Sequence, residues 1–240
     1  MDIKNRTVLL TGGTAGIGRE MARQLKAKGA HVVVTGRNPE RLAAMESEGF
    51  ETISAGLSDA EGVDSLLAAW GARKIDILIN NAGQLVDHDL RNGTPDADAT
   101  DVCIYTNLNA PIRLITGLAE RLQAQPEAAI VNVTSGLAIA PAARQPVYCA
   151  TKSGLRFYSL ALREQLKDTN VHMIEALPPV VDTQMNDGRS VKKMPPEECA
   201  RQIVEAIEKG RDEANIGMTK ALRIAESISP ALARSMTLRF

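Results

Sequence analysis

Apolar runs of strand length alternate with amphipathic segments of helix length up to about residue 180, and this alternation constrains the fold more than any single motif. TVLLTG (Thr7–Gly12), HVVVTG (His31–Gly36), IDILINNAG (Ile75–Gly83), AIVNVTS (Ala129–Ser135) and VHMIEALPP (Val171–Pro179) read as strands. After the first, GIGREMARQLKAKG carries Ile17, Met21 and Leu25 on one helical face, with Gly29 as a stop signal. Asn38 and Pro39 open another helix as N-cap and first helical residue. Strands buried on both faces and separated by helices imply a parallel sheet with helices on both sides. The expected fold is therefore α/β, a doubly wound parallel sheet, with residues 1–240 forming one domain. The last sixty residues break the pattern, with a helix near Pro196–Lys209 and an apolar-striped segment from about Met218 to Phe240.

Bulk properties narrow the function by exclusion. Acids outnumber bases by 29 to 28, so nothing resembles the basic footprint of a nucleic-acid binder. No apolar run reaches the roughly 18 residues of a membrane span. The N-terminal apolar run is far too short for a signal-peptide core. Cys103, Cys149 and Cys199 are odd in number and widely spaced, which fits a reduced compartment, with the cytoplasm as the expected location. His31, His88 and His172 are equally scattered, so no metal site is expected.

Ligands of doubly wound sheets bind beyond the carboxyl ends of the strands. The first such end reads TGGTAGIG, with Gly12, Gly16 and Gly18. Glycine lets the backbone turn tightly and approach a pyrophosphate, and the following helix presents free N–H groups to it. A plain turn has the same composition, but here a strand precedes the loop and a helix opens inside it. Dinucleotide sites often place an acid at the end of the second strand, bonded to the ribose 2′-OH. That place holds Gly36, followed by Arg37. A missing carboxylate and an adjacent guanidinium favour NADP(H) over NAD(H). The alternative is that Arg37 is a solvated arginine beside a helix cap.

YCATK places Tyr148 and Lys152 four residues apart, on one face of a helix that also carries Leu155, Leu162 and Leu166. Such spacing alone is common on ordinary helix surfaces. As chemistry it makes sense: free tyrosine has a pKa of about 10, too high for a base at neutral pH, and a neighbouring ammonium favours its phenolate. Ser135, ending a strand thirteen residues earlier, supplies a second donor on the same ligand-facing edge.

With these motifs in order, the chain resembles the single-domain short-chain dehydrogenases/reductases, over residues 5 to about 185. TGGTAGIG resembles that family's glycine loop, NNAG (Asn80–Gly83) its fourth-strand signature, TNLNAP the segment of its catalytic asparagine, and Ser135 with Tyr148 and Lys152 its serine and Tyr-x-x-x-Lys pair. The resemblance implies a Rossmann-type fold, and it implies roles. Tyr148 is then the general acid/base, Lys152 binds the nicotinamide ribose and tunes Tyr148, and Ser135 orients the substrate oxygen. Asn107 holds a water linking Lys152 to solvent, or else is only a polar group at a helix kink. Gly12, Thr14, Gly16, Ile17, Gly18, Asn81, Gly83, Val181 and Thr183 line the cofactor. Asn80 bonds neighbouring strands instead.

The chain departs from the family pattern at three places. Gly56 stands where an adenine-side aspartate is usual, and Asp59 reads as a helix N-cap. Pro179 replaces a glycine after the sixth strand, stiffening the turn and removing an N–H donor. The tail offers a short strand near Ile216, then helix interrupted by Pro230, with Leu222, Ala225, Ser229, Leu232 and Met236 as a partial stripe. That stripe suits core packing or a subunit contact; a membrane-surface role is the weaker alternative, for which Lys220, Arg223, Arg234 and Arg239 supply the bases. The expected activity is hydride transfer between NADP(H) and a carbonyl or secondary alcohol. The alternatives are an NAD(H)-dependent alcohol dehydrogenase and a non-catalytic, cofactor-binding regulator. The expected partners are a small carbonyl or alcohol substrate and copies of the chain itself, as a homo-dimer or homo-tetramer. The substrate pocket is expected from the segments after Gly83, before Tyr148 and after Asp182, with Ala138, Ile139 and Ala140 as an apolar wall, Arg144 facing water or an anionic group, and residues from about 183 forming a mobile lid that leads into the tail.

Overall fold

The structure, a computed structural model, describes every residue except Asn92, Thr94, Arg189, Arg239 and Phe240. Its strands are β1 (Thr7–Leu10), β2 (His31–Gly36), β3 (Glu51–Ser54), β4 (Ile77–Asn80), β5 (Ala128–Val133), β6 (Val171–Leu177) and β7 (Glu213–Asn215). All pair in parallel, in the order β3-β2-β1-β4-β5-β6-β7. The chain builds outward from β1 to β3, then crosses back to place β4 on the other side of β1. The doubly wound parallel sheet expected from the alternation is the fold observed.

The helices are α1 (Gly16–Ala27), α2 (Pro39–Ser47), α3 (Ala60–Trp70), α4 (Ala97–Ile104), α5 (Ala110–Gln123), α6 (Pro146–Leu166), α7 (Pro196–Glu208), α8 (Thr219–Ile228) and α9 (Pro230–Thr237). Strand residues alternate between two cores, as the pleat requires. Val8, Leu10 and Ile79 pack with Met21 and Leu25 of α1 and Ile203 of α7. Leu9, Leu78 and Ile130 pack with Leu66 and Trp70 of α3 and Leu118 of α5 on the other face. The expected caps are present: Asn38 accepts from the Arg41 N–H at 2.9 Å, and Asp59 from the Gly62 N–H at 2.8 Å. None of the described helices is long and apolar enough to cross a membrane.

Two expectations need correction. Most of the strands are shorter at their carboxyl ends than the apolar runs suggest: β1 stops at Leu10, β4 at Asn80, β5 at Val133 and β6 at Leu177. The residues beyond leave the ladder to form the ligand-facing edge. The tail stripe is also broken. Leu222 and Ala225 are buried, but Leu232 and Met236 are 46% and 41% exposed, and Ala233 packs inward instead. Ser229 is extended and caps α9 through the Leu232 N–H, so the break before Pro230 resets the helical phase. Arg239, one of the tail bases, lies outside the described residues.

Candidate active site

The glycine loop sits where the strand order reverses, between β1 and β4. Gly12 has φ +63°, and a Cβ there would lie 2.9 Å from Ala82 Cα. A Cβ on Gly18 would lie 2.2 Å from the Gly12 carbonyl oxygen. The loop can therefore fold against β4 and α1 only as glycine. Asn81 stitches it down, donating from Nδ2 to the carbonyls of Thr11 (3.0 Å) and Gly12 (3.1 Å). Thr11, not singled out from the sequence, accepts from the Asn81 and Ala82 N–H groups through its hydroxyl. Asn81 thus buttresses the cradle. Asn80 does bond the neighbouring strand, donating to Asn132 Oδ1 at 2.9 Å.

The cradle fits an anionic cofactor. The residue capping α1 is Ala15, with no side-chain acceptor for the first-turn N–H groups. Those donors are free for phosphate oxygens. Thr183 closes the other side: a Cβ on Gly16 would lie 2.9 Å from its Cγ2. Val181 is buried beside it and bridges to Met194. Ile17 packs partly against the core, holding the start of α1. Thr14 lies against Gly36, where a Cβ would come within 2.7 Å of its Cγ2. Arg37, just beyond, is exposed, and no carboxylate pairs with it among the described residues. Leu57, after Gly56, is buried at the end of the same edge.

The second half of the site is built on α6, which begins with Pro146 at a helix start. Lys152 Nζ lies 5.7 Å from the centre of the Tyr148 ring. It donates to the Val133 carbonyl at 2.9 Å, at the end of β5. Burial pulls its pKa from 10.5 down to about 8. An ammonium has three donors, so two remain for a ligand. Ser135 follows β5 in extended backbone and caps the short 3-10 turn Gly136–Ala138, accepting from the Leu137 N–H at 3.1 Å. That bond uses a lone pair and leaves the O–H to donate. Ser153 Oγ donates to the Ala138 carbonyl at 3.2 Å, fastening this turn to α6. Cys149 takes no part in this; its thiol accepts from the Ala142 N–H at 3.3 Å and is pushed up in pKa by burial.

Asn107 lies in a π-helical turn, Tyr105–Asn109, between α4 and α5. Its carboxamide accepts from the Gln84 N–H and donates to the Gln84 carbonyl, both at 2.8 Å, and donates to Thr151 Oγ1 at 3.1 Å. The kink is therefore real, and it pins the loop after β4 to α6. Gly83 fits between them: a Cβ there would lie 3.4 Å from Asn107 Oδ1 and 3.6 Å from Lys152 Nζ.

Two of the three expected pocket segments are joined at this edge. The His88 N–H donates to the Arg144 carbonyl at 3.3 Å, joining the loop after β4 to that before α6. The Arg144 side chain is exposed. The segment after Asp182 is pinned at its base, because Met194 exchanges backbone bonds with Val180 and Asp182. Of the two lysines there, Lys193 pairs with Asp182 at 3.4 Å. Arg41 of α2 reaches Gln184 at 2.6 Å across the cofactor side. Ala138 is buried, Ala140 is buried against the tail helices, and Ile139 packs half-buried beside it. A separate cavity of about 350 Å³ lies between α5 and α6, lined by Ile115, Leu122, Tyr158 and Leu162, away from this chemistry. Among the described residues, no cluster of His, Cys, Asp and Glu could hold a metal ion.

A parallel sheet with a glycine cradle at its switch point, and a buried lysine one turn from a tyrosine, defines a nicotinamide-dependent oxidoreductase of the Rossmann type. Residues 6–193 match the family model described as short chain dehydrogenase, and the chain belongs to that family of oxidoreductases. It is 37% identical over 236 residues to the uncharacterized oxidoreductase DltE of Bacillus subtilis (strain 168), covering 94% of this chain and 93% of that one. Among solved structures it superimposes on a short chain dehydrogenase from Burkholderia cenocepacia J2315 in complex with NADP, with TM-score 0.88, 22% identity and full coverage of both chains. It also superimposes on a short chain dehydrogenase/reductase from Burkholderia phymatum in complex with NAD, with TM-score 0.81, 19% identity and 95% of each chain covered.

Proposed function

We propose that the chain is an NADP(H)-dependent carbonyl reductase or alcohol dehydrogenase. The observation that carries this reading is the buried Lys152 ammonium, one turn from Tyr148 and bonded to the strand end that leads into Ser135. When bound, the nicotinamide supplies or accepts a hydride. The chain's residues handle the rest. Ser135 donates its free O–H to the substrate oxygen. Tyr148 gives that oxygen a proton in reduction and takes it back in oxidation. Lys152 stabilises negative charge on the phenol oxygen and has donors left for the ribose. Asn107 holds a water that links Lys152 to solvent as a proton relay.

Gly12, Thr14, Gly16, Ile17, Gly18, Asn81, Gly83, Val181 and Thr183 form the cofactor cleft in this reading. Solved neighbours carry NADP(H) and NAD alike, so the preference rests on Arg37, an exposed guanidinium without a carboxylate partner among the described residues, just beyond the end of β2. We read residues 1–240 as one domain, with residues from about 183 closing the substrate side. Assembly into two or four copies belongs to the same reading, and the apolar groove between α5 and α6 offers a face for it.

The test is Tyr148→Phe, assayed on a panel of aldehydes and ketones with NADPH and NADH in parallel. It should retain NADPH binding by fluorescence titration and lose turnover by at least about a hundredfold. A variant that reduces carbonyls as fast as the wild type sinks the assignment of Tyr148.

A further inference from the structure

β6 is buried on both faces, yet it carries a carboxylate in its middle. Glu175 is fully buried. Such a group persists only with good partners. Its Oε2 accepts from Arg156 Nη1 at 2.5 Å, and its Oε1 from the Thr134 hydroxyl at 2.7 Å. Arg156 lies on α6, one turn beyond Lys152, and is itself buried. Its other terminal nitrogen donates at 2.8 Å to Glu213 Oε1 of β7. Glu213 is the register partner of Glu175 across the ladder. Like charges directly opposite repel, and one guanidinium fork between them offsets that repulsion. Arg223 of α8 completes the set, 3.6 Å from Glu213 Oε2. Arg223 also pairs with Glu226 of its own helix, so Arg156 is the cation shared by Glu175 and Glu213.

The network ends beside the site. Thr134 immediately precedes Ser135. Its N–H donates to the Ala176 carbonyl at 2.8 Å, and its hydroxyl lies 3.2 Å from the same oxygen. Beyond Ser135, the Gly136 N–H donates to the Pro178 carbonyl at 2.9 Å. Ser135 is therefore held between one tie to β6 and one to Pro178 just beyond its end, and Thr134, which makes the first, is linked by its hydroxyl through Glu175 to the helix that bears Tyr148 and Lys152. Well-packed apolar residues commonly replace a buried ion pair without loss of stability. What they cannot supply is a directional link.

The geometry points to Thr134 as a positioning residue: anchored by the Glu175–Arg156 pair, it fixes Ser135 relative to Tyr148 and Lys152. This rests on the reductase reading above. The test compares Thr134→Val and Thr134→Ala, which lack the hydroxyl, with Thr134→Ser, which keeps it. Each is checked for folding by circular dichroism and assayed at 25 °C with NADPH and the first carbonyl of the panel that the wild type reduces. Loss of the hydroxyl should lower kcat at least about tenfold, since misplacement of a reacting group by about an ångström costs that much or more. The Kd for NADPH and the KM should stay within about twofold, and Thr134→Ser should recover most of kcat. The role is overturned if Val and Ala keep wild-type kcat, if NADPH affinity falls in step with kcat, if Ser fails to restore turnover, or if neither hydroxyl-free variant folds. An inactive Tyr148→Phe beside a fully active Thr134→Val removes the positioning role and leaves the reductase standing. A wild type that reduces no carbonyl of the panel removes both.

Discussion

Lys152→Met should make the protein more stable while ending its proposed activity. Lys152 is 4% exposed, and burial lowers its pKa from 10.5 to about 8. Each pKa unit corresponds to about 1.4 kcal/mol, so the protonated side chain costs about 3 kcal/mol in the folded state relative to the unfolded chain. The sign follows from proton counts. Below about pH 8 both states hold the proton, and the full penalty is present. Between about pH 8 and 10.5 the folded state releases it first, and the penalty shrinks as pH rises. Methionine fills a similar volume without charge. It forfeits the bond to the Val133 carbonyl, worth about 1 kcal/mol. The net gain at pH 7 is about 2 kcal/mol, or a melting temperature higher by roughly 4–8 °C for a chain of this size. Urea unfolding of both proteins at pH 7 and pH 10 measures it. An unchanged or lower stability of Lys152→Met at pH 7 refutes the reasoning, as does an advantage that fails to shrink by pH 10.

Arg37→Ala should raise the KM for NADPH by roughly 10- to 100-fold and leave that for NADH nearly unchanged, because a charge-assisted contact to a 2′-phosphate is lost. Equal effects on both cofactors, or none, would remove Arg37 from the site. Gly18→Ala places a methyl 2.2 Å from the Gly12 carbonyl. NADPH affinity, read by fluorescence, should fall at least about tenfold, with stability down by about 1–3 kcal/mol; unchanged binding contradicts the cradle.

Features formed by residues near one another in sequence were legible in advance. The caps at Asn38 and Asp59 are bonds to the third residue on, and both are present. β2 runs from His31 to Gly36, where the apolar run ends at a glycine. The glycine loop and the Tyr148–Lys152 pair were legible because their chemistry fits into a few consecutive residues. Other features were not. Nothing local says that Asn81 reaches back 70 residues to hold Thr11, or that α9 turns Leu232 outward. Glu175 is visible as an acid inside an apolar strand, and Arg156 as a base one turn from Lys152. Their pairing, and the arm to Glu213 57 residues from Arg156, depends on how α6 lies across β6 and β7.

Periodicity and turn chemistry act through neighbours along the chain, so residue order already carried the α/β class, the phosphate loop and the candidate proton-transfer pair. Position across the sheet depends on which strand lies beside which. Folding alone brought Val133 to Lys152, Gln84 to Asn107 and Thr183 to Gly16, and it set the carboxylate of Glu175 behind Ser135. Burial in the folded chain gives the lysine its lowered pKa, and backbone bonds across the sheet edge tie down the residues on either side of the serine, because desolvation and hydrogen bonding are properties of surroundings that a linear chain does not yet have.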